Sequence, residues 1–312
     1  MSRELIAGVG AGVGGGLFFA LGVGGGGAVL LIYVAMLPLL LASLGHGVRS
    51  ASVAAVVGAA VVYLWAGSLS AVIFVAMAGL PAIQIAQFVL ASFGEKNGQI
   101  QWYPWGRLLV WLTGLGMVLL LAGLLTMPHG PEGLEVAVRS FVARMVEMFA
   151  GRLPEADRNS LATIQASLFP AGVVVGWLIM VIGNGLIAQV ILARLGKALR
   201  PMPVMAELDL PLGAVWLLAG SGVGMVFGGD VGYICRNLAM VALVPLVILG
   251  LASVHRTVAS WPQASMARVG FYGAFLVGSI KVVMALAVLG LVELWARRYE
   301  EGSPTVADKE DE

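Results

Sequence analysis

Runs of about 20 apolar residues recur along the whole chain, separated by short glycine-rich or polar breaks. The runs are continuous rather than alternating, so they predict helices and exclude the strands of a membrane barrel. The pattern predicts segments at Leu5 to Gly24, Ala28 to Leu44, Ser50 to Ala66, Leu69 to Phe93, Trp105 to Thr126, Leu161 to Leu195, Leu212 to Phe227, Tyr233 to Val254 and Ala267 to Trp295. Glycine marks the turns at Gly24 to Gly27, Gly45-His46-Gly47 and Gly67-Ser68, and Gly94 to Gln101 reads as a polar loop. The sixth segment is too long for a perpendicular crossing at about 1.5 Å per residue. It must tilt, project or bend at Phe169-Pro170.

One polar interval, Pro128 to Asn159, carries a different period. Leu134, Val138, Phe141, Val142, Met145, Met148 and Phe149 share a face at helical spacing, and Glu135 and Arg139 pair four apart on the other face. This amphipathic insert, about residues 132–151, is too short to span. It lies along the membrane surface or caps the bundle, as a connector or as a lid. The expected fold class is all-α: a polytopic transmembrane helical bundle of eight or nine spans with one interfacial helix. Residues 1–296 form a single transmembrane domain, and residues 297–312 a polar tail expected to be disordered.

Composition supports the medium. Hydrophobic residues make up 60% of the chain, charged residues only 11%, and mean hydropathy is +0.96, where a soluble domain carries about 25% charged residues. A net charge of +1 without a basic block argues against a nucleic-acid partner. The lone Cys235 excludes an internal disulfide and a multi-cysteine metal site, and His46, His129 and His255 lie far apart in sequence. With the N-terminus in the cytoplasm, inside loops hold Arg49, Lys96, Arg107, Arg194, Lys197, Arg200, Arg256 and Arg268. Outside lie Arg236 and the mixed charges of the amphipathic helix, which supports that orientation. Nine spans conflict with it by placing Arg297 and Arg298 outside; eight bring them inside. The seventh segment is the span to demote, to a re-entrant hairpin. The first apolar run reads as a membrane helix rather than a signal peptide.

Small residues recur every four positions: Gly8, Gly12 and Gly16; Gly220, Gly224 and Gly228; Gly270, Ala274 and Gly278. Such faces let backbones approach closely in lipid, within one bundle or against a partner. Gly10, Gly12 and Gly15 satisfy GxGxxG, but no strand precedes them and no acid follows about 20 residues on, so a nucleotide site is rejected. No nucleophile–base set or metal-ligand set is visible, so neither an enzyme nor a cofactor is expected.

Candidate chemistry therefore rests on polar groups inside the apolar runs. Lys281, deep in the ninth segment, costs about 2.5–3.5 kcal/mol to insert and is the candidate counter-charge for an anion; pairing with a carbonyl or an acid is the structural alternative. Asn184 and Trp177, seven apart on one face after Phe169-Pro170, are candidate substrate contacts, joined by Gln84 and Gln87 beyond Pro81. Amides in helices also serve as interhelical glue, at about 0.6 kcal/mol each. Pro38, Pro81, Pro170 and Pro245 each free a backbone carbonyl near membrane depth. Broken helices with polar neighbours line cavities in transporters.

Leu39 to Ala51, with its Gly45-His46-Gly47-Val48-Arg49 turn, resembles the second-to-third helix turn of the substrate-binding S components of energy-coupling-factor transporters, and Ala7 and Ala11 are similar to their partner-facing alanines. Phe169-Pro170, Asn184, Glu207 to Pro211, Asn237 and Gly250 to His255 together resemble the YybS-like group of uncharacterised bacterial membrane proteins. The resemblance implies a bacterial cytoplasmic-membrane protein that captures a small solute in a helical bundle, with an ATPase module supplying energy. The extra spans and the amphipathic insert depart from the S-component pattern. The leading expectation is a transporter-like protein whose solute cavity is lined by the fourth, sixth and ninth helices. The alternative is a membrane scaffold whose glycine faces bind other membrane proteins.

Overall fold

The computed structural model describes residues 2–96, 98–150, 152–259 and 264–302. The surroundings of the side chains at 264–279, which include Gly270, Ala274 and Gly278, lie outside the described residues, as does the tail from 303 onward.

Among the described residues the chain is helical apart from one hairpin and the connecting loops, as expected of a membrane bundle. In order, the helices are α1 (Arg3–Val23), α2 (Leu30–Val34), α3 (Met36–His46), α4 (Val48–Phe74) and α5 (Leu80–Val89). The strands β1 (Ser92–Lys96) and β2 (Gln99–Trp102) come next, then α6 (Trp105–Leu125), α7 (Leu134–Ala150), α8 (Glu155–Arg194), α9 (Gly213–Gly224), α10 (Gly229–Ala242), α11 (Val244–Ala259) and α12 (Ala264–Gly302). Five stretches among the described residues are long and apolar enough to cross a membrane: Arg3–Val23, Val48–Val89, Trp105–Leu125, Glu155–Arg194 and Gly229–Val258. Leu30–His46 and Gly213–Gly224 are shorter apolar helices. The segment expected as the polar loop Gly94 to Gln101 is instead the tip of an antiparallel hairpin, pairing Glu95 with Ile100. α7 occupies the amphipathic insert, with Leu134, Val138, Val142 and Val146 buried. α12 runs through Arg297 and Arg298 to Gly302, so the start of the tail expected to be disordered from residue 297 is helical; the rest of that tail lies outside the described residues.

The chain divides into two compact units. The first comprises Met1–Leu108 and Val175–Pro203; the second comprises Leu109–Val174 and Val204–Glu312.

In the first unit α1 and α4 run parallel at backbone contact. Methyl groups placed on Gly8, Gly12 and Gly16 would lie 2.8, 2.6 and 2.8 Å from the carbonyl oxygens of Ser50, Ala54 and Gly58. The predicted glycine face is thus consumed inside the bundle. α4 turns back at Gly67, whose φ of 82° favours glycine, so a β-carbon on Gly79 would sit 3.2 Å from that of Ala55. Phe19 closes edge-on against Phe74 at 5.4 Å. This path brings the start of α1, the start of α4 and the end of α5 to one end of the unit. Gly45 lies against Leu192, which brings the end of α8 there too. All nine charged residues of the unit, seven basic and two acidic, gather at this end, giving net +5. The turns at the other end, Gly24 to Gly27 and Gly67 to Leu69, carry none.

In the second unit α9 packs on α10, with Gly224 under the Cys235 sulfur. α11 and the C-terminal part of α12 run parallel. Methyls on Gly250 and Gly290 would overlap the carbonyl oxygens of Leu286 and Leu246, and Ser253 donates to Glu293 at 3.1 Å. Arg297 Nη1 donates to the Leu208 carbonyl at 2.9 Å, and Arg298 Nη2 to Asp209 and to the Leu210 carbonyl, each at 2.8 Å. The end of α12 therefore lies at the loop between α8 and α9.

Candidate functional site

Pro81 has no N–H to return to the Met77 carbonyl four residues earlier, and the helix there widens to a π-turn at Val75–Gly79. The Trp177 indole Nε1 donates to that carbonyl at 2.9 Å. About two turns further on, Asn184 Nδ2 donates to the Tyr33 carbonyl at 2.7 Å, beside the break between α2 and α3, and to the Met180 carbonyl at 2.8 Å. Both side chains are buried. Two of the predicted solute contacts thus meet backbone freed by broken helices, and their donors are engaged within the protein.

Gln84 differs. It lies one turn beyond Pro81 on α5, and its buried Oε1 has no protein partner. Ser50 Oγ and His46 Nδ1 share that condition, and Ser50 is fully buried. The antiparallel contact of Ala55 with Gly79 places Ser50 and Gln84 at one height, each five residues further towards the charged end. His46 closes α3 at the turn leading to Ser50. A buried acceptor left without a donor costs roughly 1–3 kcal/mol, and nearly all such groups in folded proteins find a partner. Gln87 is exposed.

The charged end has its own anchor, which the sequence reading placed only as one loop charge among many. Arg200 is 6% exposed. It donates to the Val89 carbonyl at 3.1 Å, satisfying the C-terminus of α5, and to the Tyr103 carbonyl at 2.9 Å. Its guanidinium lies 4.0 Å from the Trp105 ring centre and 5.5 Å from that of Trp102, while Gln189 donates to its carbonyl at 2.6 Å. Among the described residues it has no acidic partner. Burial lowers its pKa to about 10, so it stays charged at neutral pH.

The second unit solves its own proline break in the same way. Pro170 frees the Ala166 carbonyl, and the Tyr233 hydroxyl donates to it at 2.8 Å. Asn237 accepts from the Ala171 N–H at 3.0 Å and donates to the Tyr233 carbonyl at 3.0 Å. At the N-terminus of α7, Asp230 accepts from the Leu134 N–H at 2.7 Å, with His129 Nε2 3.8 Å from its other oxygen; Arg236 pairs with Glu135 at 3.1 Å. Glu293 binds Arg256 at 2.5 Å and Arg297 at 2.7 Å. Lys281 belongs to this unit, whereas Asn184, Trp177, Gln84 and Gln87 belong to the first. It is exposed and makes no hydrogen bond or ion pair among the described residues. The expected face of Gly220, Gly224 and Gly228 is interrupted, because α9 ends at Gly224 and Gly228 is the extended residue before α10; Gly224 is covered, while no described atom lies within 4 Å of a methyl placed on Gly220 or Gly228.

Nothing in the sequence pairs Pro81 with Trp177 or Pro170 with Tyr233. The usable signal was the proline, which names the freed carbonyl four residues back but not its donor. No group of three or more potential metal ligands occurs among the described residues. A family model described as a predicted membrane protein (DUF2232) matches residues 17–294. No curated protein and no solved structure matches the chain.

Proposed function

We propose that this chain, which belongs to the predicted membrane protein (DUF2232) family, binds a small hydrogen-bonding solute within the bundle of its first unit, as the binding part of a transport system. The carrying observation is the set of buried polar atoms without partners, Gln84 Oε1, Ser50 Oγ and His46 Nδ1, at the charged end. Asn184 and Trp177 act in this reading as the frame that holds the broken helices, not as ligand contacts. Gln84 presents an acceptor, Ser50 a donor or acceptor, and His46 either, depending on tautomer. The solute is therefore one with at least one N–H or O–H donor. The concentration of basic residues at this end supports a bacterial cytoplasmic-membrane orientation with that end, and the N-terminus, inside.

Native mass spectrometry of the full chain, released from mild detergent, tests the reading. A retained small molecule that is lost on Gln84→Leu, with folding intact, is the expected result. A wild-type protein that retains no small molecule, or a Gln84→Leu variant that retains it as wild type does, would remove it. The open Gly220 on α9 favours a second reading, a scaffold whose α9 receives a partner helix. A stoichiometric integral partner co-purifying without an ATPase would favour that reading; a co-purifying ATPase favours transport.

A further inference from the structure

The charged end of the first unit has a composition and a geometry that the solute reading does not use. Its seven basic residues face only Glu4 and Glu95. Arg49, Arg107, Arg194 and Lys197 are exposed. Among the described residues none of these four forms an ion pair. Arg200 adds a fixed positive charge behind them, held by two backbone carbonyls and two tryptophans, again with no acid. A buried charge without a counter-ion is expensive, and the carbonyl end of α5 offsets it only in part. Beside it the β1–β2 hairpin projects Phe93 and Ile100, 67% and 54% exposed. Phe93 and Phe88 both stack on Tyr103, at 5.9 and 4.9 Å. Tryptophan and tyrosine at the mouth of an apolar helix, here α6, are the residues that settle at the headgroup level of a bilayer.

We propose that this end is a binding surface for anionic phospholipid headgroups, with the hairpin's Phe93 and Ile100 seated in the interface and the basic residues on the phosphates. The position favours lipid over a soluble acidic partner. The charges ring the ends of membrane helices, within a side chain's reach of the headgroup layer, and Phe93 and Ile100 of the otherwise polar hairpin have a place to insert. Each basic residue near an anionic surface gains attraction that falls off within a Debye length. The surface does not depend on the solute proposal: it uses different residues, and neither Gln84 nor Ser50 contributes to it.

The test is thermal unfolding of the full chain in lipid nanodiscs of neutral phosphatidylcholine, and of phosphatidylcholine mixed with phosphatidylglycerol. The expected result is a Tm higher by several degrees in the anionic discs, with the difference erased by high salt. The triple variant Arg107→Gln, Arg194→Gln, Lys197→Gln should lose most of the difference, while the exposed pair Arg139→Gln, Arg144→Gln on α7 should keep it. Equal Tm values in the two lipids would overturn the proposal. So would a triple variant that responds like wild type, or an α7 pair that loses the response equally. Glycerol phosphate added to neutral discs is the last arm. Reproducing the full shift would assign the surface to a free phosphate and overturn the lipid; no shift supports it.

Discussion

The two compact units meet one problem in the same way and a second in opposite ways. Each contains a proline within a membrane-length helix, and each gives the freed carbonyl to an aromatic donor from another part of the chain: Met77 to Trp177 in the first unit, Ala166 to Tyr233 in the second. Each also uses an asparagine that bonds its own helix one turn back and reaches a second backbone group, Asn184 to Tyr33 and Asn237 to Ala171. Charge separates them. Among the described residues every ion pair lies in the second unit. With a chain total of +1, the first unit's +5 leaves −4 in the second. Broken backbone must be repaired locally, because hydrocarbon offers no substitute donor. Charge at a helix end can instead be left to an outside partner, since water or headgroups are within reach.

Ionic repair in the second unit should show the largest effect. Glu293→Ala removes the carboxylate that Arg256 and Arg297 share, and a stability loss of about 2–3 kcal/mol in denaturant titration is expected, below the full penalty for a broken buried pair because both arginines keep some solvent and Arg297 keeps the Leu208 carbonyl. A loss under about 0.5 kcal/mol would erase the contrast between the units. Arg200→Ala comes next. It removes two donors to backbone carbonyls and the packing on Trp105, an expected loss of roughly 2 kcal/mol by the same assay. Arg200→Lys should recover less than half, since an ammonium lacks the planar fork. Full recovery would show that charge, not geometry, holds the hairpin.

The shared device predicts a coupling. Tyr233→Phe should cost about 1 kcal/mol, and in a Pro170→Ala background clearly less, because the restored N–H satisfies the Ala166 carbonyl itself. The same cycle with Trp177→Phe and Pro81→Ala should show the same sign. Additive losses would mean that the aromatic groups merely fill space. The smallest change is expected at Gln84→Leu, within about 0.5 kcal/mol of wild type or more stable, since it replaces an acceptor that has no donor. A loss above about 1.5 kcal/mol would show that Oε1 is bonded in the folded protein.

Much of the bundle was legible because lipid imposes a coarse rule. A run that must satisfy its own backbone and expose apolar side chains reads as a helix whatever packs beside it. The turns at Gly47 and Gly67 were legible for a local reason, since both take positive φ, at 95° and 82°. The hairpin at Ser92–Trp102 was not. Its five- and four-residue strands hold too few residues for a period to show against polar loop composition. Of the site residues, Gln84 was named for its position beyond a proline and proved to carry an unmatched acceptor. Ser50 was passed over, because a serine at a helix start reads as ordinary.

Hydropathy alone fixed the medium, the all-helical class, the amphipathic character of Leu134–Ala150 and the carbonyls that proline would free. These are properties of single residues and of short periods. Tertiary structure decided which donors reached those carbonyls, which glycine faces were spent inside the bundle, and that Arg297 and Arg298 stand beside Asp209. Those outcomes depend on contacts between residues scores of positions apart, and a short-period pattern carries no information about which distant neighbour fills a given face.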